Sequence, residues 1–248
     1  MRRRVLPFRN LAAAVVLGAA CATAGAASAE QPDIAPAPRM VVFGSIEGAR
    51  SAYGSIGAKR TLSGSLDETG PVAMITAGVG GSPDQLGLLR SEAAALRPAF
   101  AGSVLLGYQW ALGRTFLSLF AGPELDRDRF WSKAGVARVA TRTGARMQAE
   151  VWIHPTESTL LTGTAVAGSA RGSLWTRASA GYKVWREVFV GPEATHYRSD
   201  GYREWRLGAH ATGLQLWRFN LRLSGGWLTD NSTPRGGAYG TLSAYVKM

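Results

Sequence analysis

Apolar and polar residues alternate along the last third of the chain in runs as long as β-strands. From Arg218 to Ser224 the even positions are polar and the odd positions are apolar. From Thr241 to Met248 the odd positions are polar and the even ones apolar. A period of two is typical of strands whose two faces meet different surroundings. A charged side chain near the midplane of a bilayer costs about 2–4 kcal/mol, so polar faces that carry arginine predict a closed barrel with a polar lumen.

Two longer runs place charged residues on one face only. Residues 135–153 alternate Arg, Gln and Glu with small or apolar residues, and residues 203–216 continue the pattern. The predicted lumen-facing polar residues are Arg138, Arg142, Arg146, Glu150, Arg177, Glu204, Arg206, His210 and Arg222. In a small barrel such side chains most often form ion pairs that fill the interior. A lumen that binds an anion or a sugar is the alternative.

The complete pattern predicts an all-β fold, an antiparallel up-and-down transmembrane β-barrel of about 12 strands. The candidate strands are 40–47, 51–61, 71–80, 98–110, 115–124, 135–153, 158–168, 172–185, 187–196, 203–216, 218–228 and 238–248. From the third strand onward most connections alternate between long and short, as in outer-membrane barrels with short periplasmic turns and longer external loops. The predicted long connections are 81–97, 125–134, 197–202 and 229–237. Two connections break the alternation. Residues 169–171 form a short connection where a long one is expected, and residues 62–70 form a long connection where a short one is expected.

The N-terminus predicts export. Four arginines precede an apolar stretch at 11–20, and the small residues Ala27–Ala29 then form a cleavage site, which is the pattern of a signal peptide at 1–29. The apolar stretch is too short for a membrane-spanning helix, which needs roughly 20 residues. A lipoprotein site at Cys21 is the alternative, but Gly18 stands where a larger aliphatic residue is expected.

The predicted mature chain has two parts, a disordered Pro-rich lead-in at 30–39 and a β-barrel domain at 40–248. Cys21 is the single cysteine, so the mature chain contains no thiol for a disulfide, a metal site or a nucleophile. Removal of the four N-terminal arginines leaves a net charge of about +7. These charges are scattered at alternate strand positions, which argues against a nucleic-acid partner. We expect no cofactor.

Tryptophans lie near the ends of the predicted strands. Trp110, Trp152, Trp185 and Trp217 lie beside the short turns, and Trp175, Trp205 and Trp227 lie near the other end. An indole ring is apolar but its N–H needs a hydrogen-bond acceptor, so this placement predicts aromatic girdles at the two membrane interfaces. The alternative is that they are core tryptophans of a soluble sandwich.

The chain contains an internal repeat of a strand, a tight turn and a returning strand. Gly107–Trp110 precedes Phe120–Glu124, and Gly181–Trp185 precedes Phe189–Glu193; both returning strands end in Gly-Pro-Glu. Because proline cannot donate a ladder hydrogen bond, we expect it to interrupt the pairing at both places. Convergence of two hairpins and ancestral duplication both explain the repeat.

These segments carry a family resemblance. The "LLGYQW" segment, both "F-x-GPE" segments and the stretch "RLGAHATGLQLWRFNLRLSGGW" resemble the BcsS family of alphaproteobacterial cellulose-biosynthesis accessory proteins. The resemblance covers roughly 40–248 and implies an envelope protein associated with cellulose production, with no catalytic motif to transfer. The chain departs from outer-membrane barrels generally in ending on Met248 rather than on an aromatic residue.

The sequence leaves three functions open. The first is a non-enzymatic outer-membrane accessory barrel for cellulose biosynthesis or export, whose partners are the lipid bilayer, cellulose and components of the cellulose synthase. Its candidate glucan contacts are Trp131, Tyr197, Tyr202 and Trp227. The second is an outer-membrane hydrolase of lipid or polysaccharide, which would need His210 or His196 beside a serine and a carboxylate. The third is a soluble periplasmic β-sandwich that binds a ligand. We favour the first.

Overall fold

The structure is a computed structural model that describes residues 37–49, 51–81, 99–131, 137–232 and 236–248. Within strands, the side chains of residues 129–131 and 137–138 also lie outside the description. The predicted signal peptide and residues 30–36 of the predicted lead-in lie outside these ranges and stay predictions. No helix in the described ranges has the length and apolar character needed to cross a membrane.

The described chain forms twelve β-strands. They are β1 (Met40–Gly48), β2 (Ala52–Thr61), β3 (Gly70–Gly81), β4 (Ala99–Leu112), β5 (Thr115–Trp131), β6 (Ala137–Thr156), β7 (Thr159–Gly168), β8 (Ser173–Trp185), β9 (Val188–Ser199), β10 (Tyr202–Leu216), β11 (Phe219–Asp230) and β12 (Gly237–Lys247). Each strand pairs with the next in the chain, and β1 pairs antiparallel with β12 to close the barrel. The all-β antiparallel barrel is therefore confirmed, and the soluble sandwich is wrong because one closed sheet leaves no second sheet to pack against.

Turn length differs between the two edges of the barrel. Four two-residue turns, 113–114, 157–158, 186–187 and 217–218, lie at one edge, which we call the base. Arg39 N–H donates to the carbonyl of Met248 there at 2.7 Å. The base also carries the connection at 62–69. The opposite edge, which we call the mouth, carries the other described connections and the ends of β3, β5 and β11.

Two of the long connections predicted for the mouth are wrong. β5 continues to Trp131 and β9 to Ser199, so only residues 200–201 join β9 to β10. Near the mouth both faces of these strands carry polar residues, such as Asp126 and Arg127. Period-two alternation depends on unlike surroundings of the two faces, and it vanishes where both faces reach water or headgroups.

The strand register confirms the predicted faces. Many of the strongly exposed outward side chains are aliphatic or methionine, and they include Ile56, Ile75, Val104, Leu106, Met147 and Leu207. His210 pairs with Ser224 and Thr212 with Arg222, so the polar faces of β10 and β11 turn inward together. The polar face of β6 turns inward in the same way, because Glu150 pairs with Ser118, which is buried. The outer face is mostly apolar, and most of the polar side chains of the strands face the lumen.

The connection at 62–69 is long because it folds across the base. Leu66 is buried, and its N–H donates to the carbonyl of Pro38 at 2.8 Å. Gln109, an inward side chain of β4, donates from Nε2 to the carbonyl of Leu66 at 2.6 Å. A two-residue turn could not supply these contacts, so the exception to the alternation has a structural cause.

The two Gly-Pro-Glu segments deform the wall in the same way. Pairing between β4 and β5 skips Val104 and Leu105 opposite Gly122 and Pro123, and pairing between β8 and β9 skips the two residues opposite Gly191–Pro192. A Cβ on Gly122 would collide with the carbonyl of Val104, so only glycine permits this close approach. The predicted interruption by proline is confirmed.

The tryptophans only partly follow the girdle prediction. Trp205 and Trp227 point outward near the mouth, and Trp217 is 87% exposed in a base turn. Trp175, however, pairs with Tyr197 and Val166 on the inward face, so its place in the outer girdle is wrong. Its sequence position already indicated the inward face, because Trp175 lies two residues from Arg177, a predicted lumen residue, and residues two apart in a strand share a face. The girdle prediction used only its closeness to the strand end.

Candidate functional site in the barrel lumen

The base half of the lumen is packed on one side by apolar side chains. Val72, Met74, Leu105 and Phe120 form a buried cluster, and Phe43 packs against it. The ammonium of Lys59 lies 5.2 Å from the centre of the Phe120 ring and 3.5 Å from the carboxylate of Glu150. The cluster leaves these inward side chains almost no solvent contact, so this sector of the base is filled with protein.

The opposite side of the base half is filled by a buried ion pair. Arg222 donates from Nη2 to Glu193, and both residues are buried. Arg222 also donates to Thr212 Oγ1 at 3.0 Å and to Ser179 Oγ at 3.1 Å. A buried charge is tolerated only with a partner and further hydrogen bonds, and Arg222 has both. The expectation that ion pairs fill the interior fits this geometry.

A second ion-pair network lies nearer the mouth. Arg206 bridges two carboxylates, with Nη1 at 2.6 Å from Glu47 and Nε at 2.5 Å from Glu204. The hydroxyl of Tyr202 donates to the other oxygen of Glu204 at 2.7 Å. The bridge ties β1 to β10, which are separated by β11 and β12 in the wall, so it crosses the lumen.

His210 is not arranged as a catalytic base. It is 2% exposed; its Nδ1 lies 2.9 Å from Thr212 Oγ1, and its Nε2 lies 3.4 Å from the carbonyl of Ala180. Neither ring nitrogen contacts a carboxylate or a serine hydroxyl. His196 stacks on Trp205 at 4.3 Å between ring centres on the outer face. Neither histidine therefore forms the arrangement that a serine hydrolase requires.

Aromatic side chains line the lumen at the mouth. Trp175 and Tyr197 are cross-strand partners on β8 and β9, and Glu204 follows them on β10. The rings of Tyr197 and Tyr202 lie 6.1 Å apart at their centres. The guanidinium of Arg177 lies 5.4 Å from the centre of the Trp175 ring. Together these residues form an inward-facing aromatic surface, which we call the mouth site.

Carboxylates paired with one arginine lie at the same level. Arg171, in the connection between β7 and β8, contacts Asp128 at 2.6 Å and Asp126 at 3.4 Å. Burial by itself lowers the pKa of Arg171, but the hydrogen bond to Asp128 and the charges of both aspartates outweigh it and raise the pKa. The guanidinium therefore stays charged and keeps the two carboxylates in place beside Tyr197.

Arg177 lies deep in the barrel without a carboxylate in contact. Its Nε is buried and has no hydrogen-bond partner among the described residues. Glu47, Glu150 and Glu193 act on it from a distance, as does the positive charge of Arg222. Trp175, Arg177 and Tyr197 each keep part of their surface exposed, so the lumen is less completely filled toward the mouth than at the base.

The structure separates the four predicted glucan contacts. Tyr197 and Tyr202 lie together inside the mouth, whereas Trp227 points outward on the other side of the wall and is 57% exposed. The side chain of Trp131 lies outside the description. The four residues were predicted as one exposed set; Trp227 cannot join the two tyrosines because the wall lies between them. Contact with glucan itself stays a prediction.

The predicted lumen residues lie on inward strand positions at three levels. Arg222 and His210 lie toward the base, Glu150, Arg177, Glu204 and Arg206 lie in the middle, and Arg142 lies at the mouth. Arg142 pairs with Asp200 at 2.9 Å, and Arg146 donates to Gln148 at 3.5 Å. The side chain of Arg138 lies outside the description. A role in ligand binding for any of them stays a prediction.

Sequence reasoning missed several lumen residues. The acidic partners Glu47, Asp126, Asp128 and Glu193 were omitted, because their strands carried no predicted lumen residue and residues 125–134 were predicted as a connection. Glu193 could have been predicted to face the lumen from Arg177, because counting alternate positions along β8, through the two-residue turn and into β9 assigns both to the same face. The mouth site needed the closed barrel, since Trp175, Tyr197 and Tyr202 come from three strands.

A closed antiparallel barrel of twelve strands with an apolar outer wall and a polar lumen is a transmembrane β-barrel. The family description "cellulose biosynthesis protein BcsS" matches residues 41–248. The chain therefore belongs to the BcsS family, as the resemblance in its Gly-Pro-Glu and Gly-Tyr segments implied.

Solved structures include similar barrels at low sequence identity. The KdgM porin in complex with disordered oligogalacturonate gives a TM-score of 0.49 at 5% identity, covering 84% of this chain and 99% of that one. The CymD monoaromatic hydrocarbon channel gives a TM-score of 0.49 at 7% identity, covering 86% of this chain and 89% of that one. The translocator domain of autotransporter NalP from Neisseria meningitidis gives 0.48 at 12%, covering 87% and 90%. A comparison with curated proteins gives no match.

The filled base predicts that the barrel does not conduct ions. Leu105 and Met74 on one side and Arg222 on the other have 6% exposure or less, which a continuous water path would not allow. We expect no stable conductance steps when the purified barrel is inserted into planar lipid bilayers. A general porin inserted in the same bilayers is the positive control. Regular single-channel steps from the barrel would contradict the filled lumen.

Proposed function

We propose that this protein is a non-enzymatic outer-membrane accessory barrel for cellulose biosynthesis and that its mouth site binds β-glucan. The mouth site carries the proposal, because Trp175, Tyr197 and Tyr202 lie on inward positions near the mouth and each keeps part of its surface exposed. Flat aromatic rings suit the apolar faces of glucose units, and their edges leave room for hydrogen bonds to the hydroxyls. Membership in the BcsS family supports cellulose as the glucan.

The polar groups around the mouth site suit a neutral sugar. Asp126 and Asp128 are already paired with Arg171, so the site offers hydrogen-bonding atoms without a large uncompensated charge. Such paired groups accept and donate hydrogen bonds to hydroxyls at fixed positions. Tyr202 is held by Glu204, which orients its ring before a ligand arrives. A site arranged in advance loses less entropy on binding.

The absence of catalysis is part of the proposal, and the contacts of His210 support it. Its ring nitrogens contact a threonine hydroxyl and a backbone carbonyl, and Ser179 is engaged by Thr162 and Arg222. Glu204 is engaged by Tyr202 and Arg206. No group in this part of the described lumen is free to activate water. A binding role fits these residues better than glycoside or ester hydrolysis.

An outer-membrane location is also proposed, and the wall supports it. The outward side chains are apolar along the middle of the strands, and no ladder edge is left open to lipid. The short turns at the base are typical of the periplasmic side, and this supports an orientation with the mouth outside the cell. Glucan would then meet the mouth site at the cell surface, where contact with a cellulose-export component is possible without passage through this lumen.

Binding of cellohexaose to the purified barrel in detergent tests the mouth site. Tyr197→Ala and Tyr202→Ala are each expected to weaken affinity by about two- to tenfold, because an aromatic contact contributes roughly 0.5–1.5 kcal/mol. Titration calorimetry measures the change. Trp227→Ala is the matched control, since it removes an aromatic side chain from the outer face and should leave affinity unchanged. Equal losses for all three variants, or no binding by the unaltered protein, would contradict the site.

A deletion strain tests the biological role. Loss of the gene is expected to reduce cellulose, measured by acid-insoluble glucose, and the unaltered gene is expected to restore it. The Tyr197→Ala, Tyr202→Ala double variant should restore less cellulose than Trp227→Ala at equal amounts of folded barrel. Unchanged cellulose in the deletion strain would rule out the accessory role.

A further inference from the structure

The outer wall carries charge of one sign. Outward strand positions whose side chains are described include no Asp or Glu, although many carboxylates face the lumen. The outward charged side chains are Arg60 near the base and Arg127, Arg198 and Arg203 near the mouth. A wall that merely met water at its rim would carry both signs. The restriction to arginine indicates an anionic neighbour.

Arg198 and Arg203 are direct cross-strand partners on the outer face of β9 and β10. Directly opposed side chains have Cβ atoms only about 4.5–5.5 Å apart, and like charges in this arrangement destabilise a sheet. Both side chains are exposed, and neither forms an ion pair with another described residue. An anion bound between the two guanidinium groups would turn this destabilising repulsion into a stabilising attraction to the anion.

The rows beneath this pair change from aromatic to aliphatic. The next outward pair toward the base is Trp205 and His196, whose ring centres lie 4.3 Å apart. The following outward pair is Leu207 and Ala194. This order matches a bilayer read inward from its surface, because tryptophan prefers the interface and aliphatic side chains prefer the hydrocarbon. The two arginines therefore lie at the depth of lipid headgroups.

We propose that Arg198 and Arg203 bind a phosphate group on a phosphorylated glycolipid of the membrane leaflet at the mouth. A guanidinium forms two parallel hydrogen bonds with phosphate oxygens, which lysine cannot do. The stacked Trp205 and His196 lie where the glycolipid backbone meets its acyl chains. The proposal is independent of glucan binding, because this surface lies on the opposite side of the wall from the mouth site.

Titration of diphosphoryl lipid A into the purified barrel in non-ionic detergent tests the proposal, with bound lipid counted by native mass spectrometry. The Arg198→Gln, Arg203→Gln double variant is expected to lose about tenfold or more in affinity, because hydrogen bonds to charged groups are strong. Arg198→Lys with Arg203→Lys keeps the charge and should lose part of the affinity. Arg60→Gln is the matched control. Arg60 is an outward arginine whose cross-strand neighbours, Met40 and Ala73, carry no charge, so its replacement should change affinity less than twofold.

Three results would overturn the proposal. Equal affinity for the dephosphorylated glycolipid would show that phosphate is not recognised. Inorganic phosphate that stabilises the barrel as strongly as the lipid would assign the pair to a free anion. An effect of Arg60→Gln equal to that of the double variant would reduce the binding to general charge attraction. The mobility shift on unboiled gels shows that each variant is folded before it is compared.

Discussion

Replacing Glu193 by glutamine is expected to lower the free energy of unfolding of the barrel by about 3–5 kcal/mol. The substitution preserves the size of the side chain but leaves the charge of Arg222 buried without its carboxylate. Arg177 interacts electrostatically with both Arg222 and Glu193. Loss of the Glu193 charge therefore also leaves the guanidinium groups of Arg177 and Arg222 repelling each other in the lumen. Urea unfolding of the folded barrel in lipid vesicles, followed by tryptophan fluorescence, measures the loss.

Glu157→Gln is the matched control for this ion pair. It breaks the pair between Arg114 and Glu157, which lies in the base turns with both side chains largely exposed. Exposed ion pairs contribute about 0–1 kcal/mol because water screens the charges. If Glu193→Gln and Glu157→Gln cost the same, Arg222 and Glu193 would have to be solvated, and the interior could not be filled as described.

Leu105→Ala is the second substitution with a large expected effect, a loss of about 2–5 kcal/mol in the free energy of unfolding. Leu105 has 0% exposure and packs with Val72, Met74 and Phe120 inside the base half. The strands are held in the closed barrel and cannot move inward to refill the space. The variant therefore loses both the transfer free energy of the side chain and the contacts around a cavity.

Leu106→Ala provides an adjacent control of the same residue type. Leu106 points outward and is 64% exposed on the lipid-facing wall. Lipid tails or detergent refill the space left by its side chain, so the variant loses transfer free energy without a cavity term. The same urea unfolding experiment compares the two. A cost for Leu106→Ala as large as that for Leu105→Ala would contradict the packed lumen.

The two stability predictions concern the base, whereas the proposed functions lie at the mouth and on the outer wall. We expect the filled base to block passage of a glucan chain through the barrel. The Arg206 ion-pair network gives the mouth site a rigid floor, because Arg206 ties β1 and β10 together beneath Tyr202. A rigid scaffold with accessible side chains at one end is the usual arrangement of a binding protein.

Several features could be predicted from little more than the alternation of apolar and polar residues along each strand. The inward and outward faces of β6, β10, β11 and β12 were predicted correctly, because a membrane wall separates apolar from polar positions at every residue. The interruption at Pro123 and at Pro192 was also predictable, since proline lacks the N–H that the ladder requires. Both are local rules that need no knowledge of the closed structure.

Other features could not be predicted because they depend on where the strands meet. The mouth site was not predicted, because its aromatic rings come from three strands and meet only through the pairing of Trp175 with Tyr197 and of Tyr197 with Glu204. The segment at 62–69 breaks the alternation of connection lengths because it folds across the base, where Gln109 donates to the carbonyl of Leu66. This contact depends on the closed barrel, so the sequence could not explain the exception. The ends of β5 and β9 were placed too early because alternation fades at the membrane boundary.

The sequence by itself determined the fold class, the approximate strand number and the side of the wall on which most side chains lie. It could do so because lipid penalises every misplaced charge, and that penalty acts on each residue independently of its partners. The tertiary structure decided which residues form sites. Arg222 with Glu193, Tyr197 with Tyr202, and Arg198 with Arg203 are neighbours only because closure and register bring separate strands together. Pairing between strands is a property of the whole sheet, and no single strand encodes it.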